Sequence, residues 1–117
     1  MNTKLVELFK QLIEIFEDFT PRVTPHYLWH YSEPRFICNT ACLHLSPEDA
    51  KMVVDYVESK LCDATVDYGT SYEPNFEVWY NHHNGVKANC MSRDYALRIH
   101  HARIAWMREI VDALSAV

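Results

Sequence analysis

Apolar side chains recur at Leu5, Leu8, Phe9, Leu12, Phe16 and Phe19, in the three- and four-residue steps of one helix face. This pattern predicts a first helix from Lys4 to Phe19, capped by Thr3 or Asn2 and ended by Thr20-Pro21. Val6, Ile13 and Ile15 lie off the stripe. The segment Pro21 to Tyr31 contains Pro25 and the run His26-Tyr27-Leu28-Trp29-His30-Tyr31. It is too apolar for a loose linker and is expected to pack across the helices.

A second helix is predicted from Ser32 to Leu45, with Glu33 and Pro34 in its first turn, where a missing N–H costs nothing. Phe36, Ile37, Cys38, Ala41, Cys42, Leu43 and Leu45 surround it with apolar side chains, which predicts a buried central helix. The third helix has the clearest start, with Ser46 as N-cap, Pro47 at the first helical position and Glu48-Asp49 at the positive end of the dipole. Ala50, Val53, Val54, Val57 and Leu61 form its apolar stripe; Lys51, Asp55, Glu58 and Ser59 form its wet face.

Residues 62–75 are polar, are broken by Gly69 and Pro74, and read as a loop. Two patterns compete after that. Asn75 can cap a short helix presenting Phe76, Trp79, Tyr80 and His83, with Gly85 as its C-terminal cap. Alternatively, Asn84-Gly85 can turn a β-hairpin over 76–90. The helix is preferred, because a lone hairpin is marginally stable.

From Ser92 to Val117 a long helix carries two apolar stripes. The broad one is Tyr95, Ile99, Ala102, Trp106, Ile110, Ala113, Leu114 and Val117; the narrow one is Leu97, Ile104 and Val111. The predicted architecture is one all-α domain over residues 1–117, a compact bundle of four main helices and a short one packed around the second helix. The alternative is α+β, with the hairpin at 76–90.

With 117 residues and 49% apolar content, the chain can bury a core without disulfides or metal. Two glycines and five prolines disfavour an all-β fold rich in turns. The formal charge of −5 argues against a generic nucleic-acid binder. It is unevenly spread: six Lys/Arg face thirteen Asp/Glu over 1–78, net −7, whereas 79–117 carries +2. No apolar run reaches the ~20 residues of a membrane span. The start, Met1-Asn2-Thr3-Lys4, leads into an acidic amphipathic helix and does not resemble a signal peptide. A cytoplasmic setting is expected, with Cys38, Cys42, Cys62 and Cys90 as thiols.

Chemistry-bearing motifs are sparse. Cys38 and Cys42 share a helix face, and His26 and His30 have the same spacing, but this Cys-x3-Cys lies inside a continuous apolar helix and so is not the tight knuckle of a zinc site. His82-His83 and His100-His101 are adjacent pairs whose side chains diverge on a helix; solvated or interface roles are expected for them. There is no glycine-rich phosphate loop or nucleophile elbow, so neither an enzyme nor a cofactor is expected. Arg103 falls beside the broad stripe and is expected to snorkel or to pair with Glu33 or Asp55. Leu97, Ile104 and Val111, rimmed by Arg93, His101 and Arg108, have the apolar centre and cationic edge of a protein interface. These six residues form the predicted partner-binding face, which would also serve a homodimer.

Arg35-Phe36-Ile37-Cys38-Asn39-Thr40-Ala41 and Arg103-Ile104-Ala105-Trp106-Met107-Arg108-Glu109-Ile110 together resemble segments of small uncharacterised proteins of tailed bacteriophages. Those proteins carry an aromatic-Ile-Cys-(His/Asn)-x-Ala helix, then Trp-Leu before a glycine, then Arg-x-x-Trp-Leu-x-x-Leu-Ile. Here Trp79-Tyr80 precedes Gly85 and Met107 replaces the usual leucine, so the likeness covers roughly residues 34–114. The resemblance implies a phage or prophage origin and favours the helix at 76–84, and it assigns no site. The expected function is non-catalytic binding that inhibits or modulates a protein partner, for instance a bacterial defence complex. Two alternatives accompany it. One is a metal- or small-ligand-binding regulator built on Cys38, Cys42 and nearby histidines; the other is an acidic nucleic-acid mimic displaying Glu48, Asp49, Asp55 and Glu58.

Overall fold

The computed structural model describes residues 3–18, 34–64 and 93–116. Within them the chain is all-α: α1 (Thr3–Asp18), α2 (Arg35–His44), α3 (Pro47–Tyr56), continued by a π-helical turn (Val57–Leu61), and α4 (Arg93–Ser115). The expected short helix or hairpin at 76–90 and the aromatic connector at 21–31 lie outside the described residues, as do His26, His30, His82, His83 and Cys90.

α1 follows its pattern closely. Leu5, Leu8, Phe9, Leu12 and Phe16 are buried, joined by Ile13, while Val6 and Ile15 are half-buried at the edges of the stripe. Fully burying a side chain of this size contributes about 1.5–3 kcal/mol, so this face alone accounts for much of the core. α3 starts as its sequence dictates. The Ser46 hydroxyl accepts a hydrogen bond from the Asp49 amide at 3.2 Å, Pro47 opens the first turn, and Ala50, Val53 and Val57 point inward.

α2 departs from expectation. It starts at Arg35 after a helical Pro34 and ends at His44, where Leu45 turns extended (φ −106°, ψ 163°) to enter α3. Phe36, Ile37, Thr40 and Ala41 are buried, but Cys42 is exposed and Leu43 is 76% exposed. α2 is therefore an outer amphipathic helix, paired with α3 across the two-residue link. Thr40 is accommodated on its inner face because its hydroxyl donates to the Phe36 carbonyl at 2.9 Å. Among the described residues α1 packs against all three other helices, and α2 meets α1 and α3 and reaches α4 through Phe36.

The largest correction concerns α4. At about 100° per residue, the two predicted stripes are centred roughly 160° apart around the helix. The face that packs on α1 lies between them: His100, Arg103, Ile104, Met107, Ile110, Val111 and Leu114. Met107 is at its centre and has no exposed surface. Among the described side chains of the broad stripe, Ile110 and Leu114 reach the core, Ala102 and Trp106 are half-buried and Ala113 is exposed. The stripe pattern failed because two polar residues, His100 and Arg103, occupy inward positions that an apolar pattern cannot mark.

Three helices meet at Phe36. Its ring packs edge-on against Phe16 of α1 (centroids 5.2 Å apart) and tilted against Trp106 of α4 (6.0 Å), and the Arg103 guanidinium lies 4.7 Å from its centroid. A cation over a desolvated ring is worth about 2 kcal/mol. Arg103 is 1% exposed, so it does not snorkel; Asp55 engages Lys51 on the surface, and Glu33 lies outside the described residues. The segments 35–41 and 103–110 are thus packed against each other through Phe36, Arg103 and Trp106.

Candidate functional site

The α1–α4 seam positions the residues singled out for partner binding. Ile104 (4% exposed) and Val111 (9%) belong to the core, and Leu97 is half-buried. The predicted free apolar seam is therefore consumed by packing against α1, and the homodimer through that face loses its apolar centre. His101 and Arg108 remain exposed at the edge of this packing, and the Arg93 side chain lies outside the described residues.

These exposed residues border two adjoining depressions along α1 and α4. One, of about 240 Å3, is formed by Glu17, His101, Ile104 and Arg108. The other, of about 410 Å3, is formed by Lys10, Ile13, Glu14, Glu17, Arg108, Val111 and Asp112. Glu17 and Arg108 border both, and their ion pair (3.4 Å) stands between them as a surface clasp joining the two helices. Ile13, Ile104 and Val111 belong to the buried core; the rim mixes both charges. Sequence reasoning found α4's contribution to this groove but missed Lys10, Glu14 and Glu17, because their wet face on α1 looked like an ordinary solvated surface.

Beneath the seam, His100 Nε2 donates to the Phe16 carbonyl at 2.7 Å. The last carbonyls of a helix lack intrahelical donors, so this imidazole caps the end of α1 from 84 residues away. Burial holds the His100 pKa below the ordinary histidine value, opposed by the bond to Phe16 and reinforced by His101 and Arg103. His100 is thus a buried donor to the α1 backbone, whereas the adjacent His101 faces solvent.

A third depression, about 330 Å3, separates α2 from α3 and its π-helical turn. It gathers Cys38, Cys42 and Cys62 with Glu58 and Arg35 over Val54 and Val57. Burial raises the Cys38 thiol pKa, and Glu58 and Cys42 add to the rise. Cys38, Cys42 and Cys62 are all free thiols. Cys62 was missed because it falls where the polar 62–75 segment begins. The wide π turn carries the helix far enough to place Cys62 beside Glu58 in this groove. Among the described residues, no three His, Cys, Asp or Glu side chains are grouped to hold a metal ion.

Two of the four acids that would imitate nucleic acid are engaged by lysines. Asp49 lies 3.7 Å from Lys4 and Asp55 accepts from Lys51 at 2.7 Å, which breaks up the negative surface. No described helix is long and apolar enough to cross a membrane. Compared with known proteins, the chain matches no family model, no curated protein and no solved structure.

Proposed function

We propose that this chain is a non-catalytic binding protein that occupies a surface of a protein partner, and that the α1–α4 groove makes the contact. The observation that carries the reading is a mixed-charge rim (Lys10, Glu14, Glu17, His101, Arg108, Asp112) around two adjoining depressions along the α1–α4 seam. Protein interfaces have such polar rims, with arginine enriched in them. The likeness of the Phe36 and Arg103–Trp106 segments to tailed-phage proteins supports a bacterial host protein as the partner, with inhibition of a defence complex as the mode.

Site-directed photo-crosslinking tests this. A photoreactive residue at position 101 or 108 of the full chain is expected to capture one bacterial protein. The same group at Lys51, on the wet face of α3, is not. Arg108→Glu should weaken capture while leaving the melting temperature within a few degrees of wild type. Capture from position 51 alone, or capture indifferent to Arg108→Glu, rejects the groove.

A further inference from the structure

The groove between α2 and the π-helical turn presents a different chemistry. Arg35, Cys38 and Cys42 follow three- and four-residue steps along one face of α2, and Val54 and Glu58 face them from α3 and its π-helical turn. Val54 and Cys38 are half-buried, whereas Arg35 and Glu58 are exposed. Burial and the Glu58 carboxylate raise the Cys38 thiol pKa, so the thiol stays protonated and acts as a small, uncharged apolar group. The groove thus has an apolar middle and one charge of each sign, the cation on α2 and the anion on the facing turn. Arg35 and Glu58 both act on the Cys38 thiol, in opposite directions, which places both within electrostatic range of the same point.

Two further observations favour a small ligand. The depression measures about 330 Å3, at the lower end of the ~300–1,000 Å3 typical of ligand pockets. One of its walls is a single π-helical turn, a rare interruption of an α-helix that is frequent at functional sites. We propose that the groove binds a small zwitterion with an apolar body, of which an apolar α-amino acid is the simplest. Its carboxylate meets Arg35, its ammonium meets Glu58, and its side chain lies against Val54 and Cys38. No covalent bond forms or breaks. This inference stands independently of the α1–α4 groove.

The test is an NMR titration of the full chain, labelled with 15N, using three probes that share one aromatic body. L-phenylalanine carries both charges, 3-phenylpropionate lacks the ammonium and phenethylamine lacks the carboxylate. Phenylalanine is expected to give saturable shifts at the amides of Cys38, Val54 and Glu58. Each single-charge probe should bind roughly two- to fivefold more weakly, the scale of one exposed ion pair. Arg35→Gln should lower phenylalanine affinity to that of phenethylamine while leaving phenethylamine unaffected; Glu58→Gln should do the converse with phenylpropionate. Both substitutions are at exposed positions, and circular dichroism checks their folding. Absence of saturable shifts, shifts centred on another surface, equal affinity for all three probes, or wild-type phenylalanine binding by both variants overturns the proposal.

Discussion

His100 Nε2 and the carbonyl of Phe16 lie 2.7 Å apart, so a side chain of α4 is bonded to the backbone of α1's last turn. Removing that donor deletes one buried hydrogen bond between the helices, at a cost of about 0.5–1.5 kcal/mol. His100→Ala is expected to lower the urea midpoint accordingly, with extra loss from the cavity. A midpoint within error of wild type would mean that the bond contributes nothing.

The same residue sets a pH response. The folded-state pKa of His100 lies below its unfolded value, so the unfolded chain binds the proton more readily. Its contribution is complete above the ordinary histidine pKa of about 6.5, and is lost progressively as pH falls from there through the folded value. His100→Gln, which retains an amide donor but does not titrate, should flatten the stability profile between about pH 7 and pH 5. Identical slopes for the two proteins in thermal melts would contradict the assignment.

Ile104 and Arg108 separate fold from surface on one helix. Ile104→Glu places a charge in the α1–α4 core and is expected to destabilise by about 3 kcal/mol or more, enough to unfold much of the population. Arg108→Ala removes only a half-exposed member of a 3.4 Å ion pair, worth about 0–1 kcal/mol. A double-mutant cycle with Glu17→Ala measures that coupling. Equal stability losses for Ile104→Glu and Arg108→Ala would reverse the assignment of core and rim.

Ser46 gives an independent check on local structure. Its hydroxyl caps the Asp49 amide, so Ser46→Ala should cost about 1 kcal/mol. Ser46→Asp should restore most of that loss, seen as recovery of the denaturant midpoint.

How legible the molecule was depended on whether inward positions were apolar. α1 and α3 were readable because Leu8, Leu12, Val53 and their neighbours mark one face, and Ser46-Pro47 marks a start with little ambiguity. α4 was readable as a helix but not in rotation. His100 and Arg103 are buried through a carbonyl bond and an aromatic ring, partners supplied by Phe16 and Phe36 from distant parts of the chain. Leu43 misled in the opposite sense: an apolar residue on an exposed face made α2 look buried all round. The groove itself was half legible. Arg108 and His101 were visible beside the seam, whereas Glu17 joined them only once α1 and α4 were side by side.

The packing of α1 against α4 also sets an order of events during synthesis. α1 is made well before the residues that cover it, and His100 lies 84 positions beyond the carbonyl it caps. At ~5–20 residues per second, that interval lasts on the order of several seconds. Throughout it the face formed by Leu8, Leu12 and Phe16 lacks its α4 cover, while α2 and α3 are already made and able to pair. The nascent chain therefore passes through a period in which α1 displays its apolar face without its partner helix, and the α1–α4 core closes only when α4 emerges.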